Sequence, residues 1–275
     1  MDVYKHVLHN GKLITRENAT IPIFSPAMTG VFGVYESILL RNGHYVAAAE
    51  HAHRLLQSIK GAQLSTDLTI DRLFGWLLLL ASVQKTFHAV VRVLVLDLGN
   101  RYADVYLYSK RYKPPSVSAY KNGVPVILYR GERAMPQIKS LNTLVPGLAR
   151  KAAKAAGVHD ALLVNRLGQI TEGTTCNVFA VQDGVLLAPP AEDVLAGTVM
   201  EQVLRLAREM GIPTRRQVLA VDAVLQWQEA FLTSTQRGVL PIKRIDDLKL
   251  GPPGSITRQL HQAYRHWEDA LVGLG

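Results

Sequence analysis

Residues 168–181 read GQITEGTTCNVFAV. The stretch carries one charge, Glu172, with Ile170 on one side and Val178, Phe179 and Val181 on the other. Its flanks read as strands heading into a core. A lone carboxylate in such surroundings is costly unless it is paired or hydrogen-bonded. The reading of the whole chain turns on what Glu172 meets.

Around this stretch lie 275 residues, 48% hydrophobic and 19% charged. That is an ordinary globular composition, long enough for a substantial core. The net charge of +9 would suit an anionic partner. However, the Lys and Arg residues are scattered, and the densest runs, KRYKPP at 110–115 and RRQ at 215–217, are short. A basic enzyme with anionic ligands is expected, not a nucleic-acid binder. Cys176 is the single cysteine, so no intrachain disulfide forms, which fits a reducing compartment. MDVYKHVLHNG at the N-terminus alternates like a strand and does not read as a signal peptide. The longest apolar run, LFGWLLLLASV at 73–83, is too short to span a bilayer and reads as a buried helix. A cytoplasmic protein with no membrane partner is expected.

Asn10-Gly11, Asn42-Gly43 and Asp183-Gly184 are turn signals between strand-like flanks. Helices are expected over 46–62, 66–85, 142–157 and from Thr198 to Gly211, with a last one closing the chain. Strands are expected over 89–99, 103–109, 124–130 and 229–235. In the 198–211 helix, Val199, Val203, Leu206, Ala207 and Met210 fall on one face. Pro114-Pro115 breaks both periodicities. The expectation is an α+β chain of two domains: 1–114, a linker at 115–122, and 123–275.

Four short segments carry candidate chemistry. In LAGTVMEQV at 195–203, Thr198 and Glu201 have capping-box spacing. Gly197 before them lets a ligand approach the backbone, and helix starts attract phosphate. TSTQRG at 233–238 ends a strand with hydroxyl-bearing residues. HAHRLL at 51–56 presents Arg54, a residue type suited to a fixed phosphate contact. His51 and His53, two apart, point to different sides, so no metal site is expected. PQIKSLN at 136–142 holds Lys139, the one charge between Arg133 and Arg150. A lysine in apolar surroundings becomes a Schiff-base nucleophile. A reactive lysine, a buried glutamate and a phosphate cradle are the parts needed to hold pyridoxal phosphate.

HAHRL, IKSLN, ITEGTTCNVF, VLAGTV and FLTSTQRGVLPI, in this order and spacing, resemble the fold-type IV pyridoxal-phosphate enzymes. These include D-amino acid aminotransferases, branched-chain aminotransferases and aminodeoxychorismate lyases. The resemblance runs from about residue 30 to 260. It implies a two-domain D-amino acid aminotransferase-like fold and pyridoxal 5'-phosphate as cofactor. Lys139 would form the Schiff base and shuttle the substrate proton. Glu172 would pair with the pyridine nitrogen, giving the buried charge its cation only when cofactor is bound. Arg54, Thr198, Val199, Thr235 and Ser234 would bind the phosphate beside Gly197. Leu195 would pack on the ring, with Asn177 and Cys176 behind these groups. A homodimer is implied, with the cofactor between the domains and a partner loop closing the site.

Two features separate the members. Lys139 is followed by Asn142 three residues on, the spacing of the D-amino acid enzymes and the lyases. Tyr35-Glu36 in GVYES resembles the aminotransferases' aromatic-Glu pair. An aminotransferase acting on an amino acid, of D-amino acid or branched-chain type, and a 2-oxo acid is therefore expected. An aminodeoxychorismate lyase, forming 4-aminobenzoate and pyruvate, and an amine transaminase are the alternatives. The substrate half departs from pattern. SPAMTGVFGVYE at 25–36 lacks most of the usual residues, and Met200 stands where an arginine is usual. Arg101 has no His two residues on. Tyr35, Arg92 and Arg101 are the substrate-binding candidates.

Overall fold

The computed structural model describes residues 3–30 and 32–274. Met1 and Asp2 of the expected N-terminal strand, and Val31 of the 25–36 stretch, lie outside them. The chain divides into two compact units. One runs to Lys113 and also takes in Ile138–Asn142 and the residues from Glu268 on. The other comprises Pro114–Gln137 and Thr143–Trp267.

The first unit is built on a six-stranded sheet of order β2-β1-β6-β5-β3-β4. Its strands are β1 (Val3–His9), β2 (Lys12–Thr15), β3 (Gly33–Arg41), β4 (His44–Tyr45), β5 (Ala89–Leu96) and β6 (Asp104–Arg111). Asn10-Gly11 and Asn42-Gly43 turn the β1–β2 and β3–β4 hairpins. Both residues of each pair have positive φ, about 49° then 79°, the mirror-image turn that matches strand twist. A short helix, α1 (Pro26–Thr29), precedes β3. Two longer helices, α2 (Ala48–Gly61) and α3 (Ile70–Gln84), follow β4. Ala52, Leu55 and Ile59 of α2 and Leu73 and Leu77 of α3 join Leu8, Ile38, Val91, Val93 and Leu107 in one core. The 73–83 run is not buried all round: Leu78 is 67% exposed, whereas Leu73, Leu77 and Leu80 are buried. Only the face spaced by three and four meets the sheet.

In the second unit, α4 (Val117–Asn122) lies within the stretch expected as a linker, and the Ser116 hydroxyl caps it by accepting from Ala119 N. Then come β7 (Val124–Arg130), α5 (Leu144–Ala155), β8 (Asp160–Val164), β9 (Gln169–Gly173), β10 (Asn177–Gln182) and β11 (Val185–Ala188). They are followed by α6 (Thr198–Glu209), β12 (Thr214–Arg216), β13 (Leu219–Ala220), β14 (Glu229–Ser234), β15 (Gly238–Ile245), β16 (Leu248–Lys249) and α7 (Ser255–Leu271), whose residues from Glu268 on count with the first unit. The ten-stranded sheet runs β12-β11-β10-β14-β15-β7-β8-β9-β13, with β16 on β15. It also closes on itself, because β9 pairs with β10 through Glu172 and Asn177.

Alternation along the strands sorts the core. Val178 and Ala180 of β10 join Leu162, Leu232 and Ile242 on one face. Phe179 and Val181 turn to the other, with Phe231 and Val203 and Ala207 of α6. Each such large side chain fully buried contributes about 1.5–3 kcal/mol. The buried stripe of α6 includes Met200 and Leu204, while Met210 is 41% exposed. The helix ends at Glu209, so Met210 has left the periodic face.

Candidate active site

In the first unit the site residues gather on β3, α2 and the segment Ile138–Asn142. That segment is pinned to β3 like a short extra strand. Tyr35 N donates to Lys139 O at 2.9 Å and Leu141 N to Gly33 O at 2.9 Å. Lys139 N donates to the Ser58 hydroxyl of α2 at 3.1 Å, and Ile138 is buried in the core below. The lysine backbone is therefore fixed on three sides. Its Nζ lies 4.8 Å from the centre of the Tyr35 ring.

Arg92 of β5 shares that ring, its guanidinium carbon 3.9 Å from the centre. Arg92 Nη1 donates to the Ser37 hydroxyl at 2.7 Å. Its Nε is buried with no hydrogen-bond partner. Arg101 sits exposed between β5 and β6, and its described contact is with Tyr102, 5.2 Å away. The structure thus brings Tyr35, Arg92 and Lys139 together, whereas Arg101 stands apart with Tyr102.

Beneath Tyr35, Glu36 is fully buried. It receives a guanidinium fork from Arg54, Nε to Oε2 at 2.9 Å and Nη2 to Oε1 at 2.7 Å. Ser37 N donates to Oε1 at 2.8 Å, and His51 Nδ1 lies 3.2 Å from the same oxygen. Burial pushes the Glu36 carboxyl up, but Arg54 and His51 outweigh it and hold it well below the usual carboxylate range. Burial pushes His51 below its ordinary value, against the pull of Glu36. Arg54 is thus not on a solvated helix face: it is buried and oriented by Glu36. Nothing local in the sequence marks this pair, because its halves lie 18 positions apart, one on a helix and one on a strand.

In the second unit, Glu172 is buried and already has a cation. Arg133 Nη1 donates to Glu172 Oε1 at 3.1 Å and to Pro136 O at 2.9 Å. This corrects the expectation that the carboxylate meets a cation only with cofactor bound. Arg133 sits 39 positions earlier, in a loop where nothing local marks its target. Across the closing seam, Asn177 pairs with Glu172 and its Nδ2 donates to Leu195 O at 2.8 Å. A Cβ at Gly197 would fall 1.9 Å from Asn177 Oδ1, so glycine is required by close approach. Gly197 is also the N-cap of α6. The capping-box reading is corrected here: Thr198 is the first helical residue, and Glu201 instead pairs with Arg216 at 2.6 Å. Val199 and Leu195 are buried. Thr233 pairs with Asn177 on the adjacent strand, so Ser234 and Thr235 follow directly from it. Cys176 is buried, and burial pushes its thiol up, as suits a small core residue.

These groups suit pyridoxal phosphate. The first unit offers an amine and a fixed arginine; the second offers a buried carboxylate and a helix start kept bare of side chain at Gly197. Among the described residues no cluster of metal-ligating side chains occurs.

Amino-transferase class IV matches over residues 33–245, and the chain belongs to this family of amino-group-transferring enzymes. A putative branched-chain-amino-acid aminotransferase of Methanocaldococcus jannaschii is 29% identical over 93% of this chain and 94% of its own length. D-alanine aminotransferase of Bacillus licheniformis is 28% identical over 94% of this chain and 96% of its own. The solved branched-chain amino acid aminotransferase of Thermobaculum terrenum, in PLP-form, superposes with a TM-score of 0.87 at 26% identity, covering 100% of this chain and 96% of that one. The α+β two-unit fold is therefore that of the fold-type IV aminotransferases.

Proposed function

We propose that the protein is a pyridoxal-phosphate-dependent aminotransferase that moves an amino group between an amino acid and a 2-oxo acid. The observation that carries this reading is the shared Tyr35 ring, with the Lys139 amine at 4.8 Å and the Arg92 guanidinium at 3.9 Å. A proton-transferring amine and a group able to bind a carboxylate stand on one aromatic side chain, as a substrate bearing both an α-carbon and a carboxylate requires.

Lys139, Arg54, Glu172, Leu195, Gly197, Thr198, Val199, Ser234 and Thr235 would hold the cofactor. When bound, pyridoxal phosphate supplies the electron sink for the α-carbon. Lys139 takes and returns the α-proton. Glu172, set by Arg133, keeps a negative charge for a protonated ring nitrogen. Glu36 orients Arg54 for the phosphate. Arg92 and Tyr35 bind the substrate carboxylate.

A homodimer accords with exposed Ile23 and Phe24, 70% and 91% accessible, a surface suited to a second copy. Among the described residues no helix is long and apolar enough to cross a membrane, and a buried free thiol suits the cytoplasm. The test is an assay of single L- and D-amino acids with 2-oxoglutarate. Amino-group transfer from amino acids of one hand supports the reading. Release of pyruvate from aminodeoxychorismate with no transfer would replace it with the lyase.

A further inference from the structure

Asp160 opens β8, 1% exposed, and its carboxylate ties together two turns far apart in the chain. Oδ1 accepts from Thr174 N at 3.1 Å and the Thr174 hydroxyl at 2.7 Å, besides its neighbour Ala161 N at 2.8 Å. Thr174 begins the turn between β9 and β10, two residues after Glu172. Oδ2 lies 2.8 Å from Arg237 Nη1 and receives the Cys176 thiol at 3.5 Å. Arg237 ends the turn between β14 and β15, two residues after Thr235. Its N donates to Ser234 O at 3.0 Å, and its carbonyl accepts from the Tyr120 hydroxyl at 2.8 Å.

The arrangement is closely packed. A Cβ at Gly173 would fall 2.4 Å from Cys176 Sγ, so the strand end before the first turn has room only for glycine. Burial pushes Asp160 up, but Arg237 and Thr174 outweigh it and leave it below the usual carboxylate range. Burial works against the Arg237 charge, and the Asp160 carboxylate supports it. A charge pair this enclosed is weak evidence for stability alone, since an apolar replacement often serves as well. Its value lies in position: the 2.8 Å contact between Arg237 Nη1 and Asp160 Oδ2 sets the distance between the two turns.

We propose that Asp160 and Arg237 are positioning residues: Asp160, anchored to the turn that carries Thr174, holds through Arg237 the turn after Ser234 and Thr235 in register for the cofactor's phosphate. This rests on the cofactor reading above. Neither residue touches the cofactor; each acts through the turn it holds.

The experiment compares the dissociation constants of pyridoxal phosphate and of pyridoxal, which lacks the phosphate, for wild type, Arg237→Gln, Arg237→Lys and Asp160→Asn. Circular dichroism and thermal unfolding follow each variant. Arg237→Gln is expected to weaken pyridoxal phosphate binding roughly 10- to 100-fold, as misplacement of a positioned group does, with pyridoxal affinity nearly unchanged. Arg237→Lys is expected to recover only part of the loss. Should Asp160→Asn fail to fold, the two Arg237 variants decide. Equal weakening of both ligands, or no weakening of either, would overturn the positioning role and leave the cofactor reading standing. A wild type that binds neither ligand would overturn both.

Discussion

Arg133 Nη1 lies 3.1 Å from Glu172 Oε1, and the two side chains are only 12% and 6% exposed. The carboxylate is held in place by the protein's own arginine. Preorganised charge of this kind needs no rearrangement when a cation docks against it.

Removing Arg133 leaves that buried carboxylate without this cation. Arg133→Met is expected to cost about 3–5 kcal/mol of unfolding free energy, the usual penalty for halving a buried pair. Urea unfolding at pH 7 measures it. A loss below about 1 kcal/mol, the range of a solvent-exposed pair, would show that Arg133 does not hold Glu172.

The buried group around Glu36 makes stability depend on pH. His51 titrates below its ordinary value of 6.5, so the unfolded chain takes up that proton first. Its contribution is full above 6.5 and is lost as pH falls toward the folded value. Glu36 is held well below its ordinary 4.5, so its contribution is full above that value and lost below it. The two losses run in the same direction. His51→Gln is expected to remove the first loss and leave the second. Unfolding free energies of wild type and variant from pH 8 to pH 4 check this; a gap between them that does not change through pH 6.5 would contradict it.

Gly197→Ala places a methyl group where Asn177 Oδ1 already lies. Overpacking of this kind typically costs about 1–3 kcal/mol. The same shift moves the start of α6, so pyridoxal phosphate affinity is expected to fall with stability. Equilibrium titration beside thermal unfolding reads both. A variant with wild-type affinity would remove the start of α6 from the proposed phosphate site.

Arg92 and Arg101 are separable by kinetics. A lost charged hydrogen bond is worth about 1.5–3 kcal/mol, so Arg92→Gln is expected to raise KM for the amino acid roughly 10- to 100-fold. Arg101→Gln is expected to leave KM near the wild-type value. The opposite pattern would transfer the substrate carboxylate to Arg101.

What the sequence made legible was local. Asn10-Gly11, Asn42-Gly43 and Asp183-Gly184 turn as their chemistry demands, since few other residues accept positive φ. Strand alternation in NVFAV and the apolar spacing of α2 likewise arise within a few residues. The strand setting of Glu172 was readable for the same reason. Its partner was not, because Arg133 reaches it across the fold. The Glu36–Arg54 fork and the Asp160–Arg237 pair were hidden in the same way. Each is made by tertiary contact between segments whose local patterns say only strand, helix or loop. The exposed side of α3 was misread because an unbroken apolar run carries no periodicity to show which face is buried.

The most direct test of the account is the visible spectrum of the protein with pyridoxal phosphate, beside a Lys139→Ala control. The account predicts a band in wild type that Lys139→Ala lacks. That band should bleach with amino acids of one hand and return on adding a 2-oxo acid. A wild type whose spectrum matches the control, or a band that no amino acid changes, would contradict it.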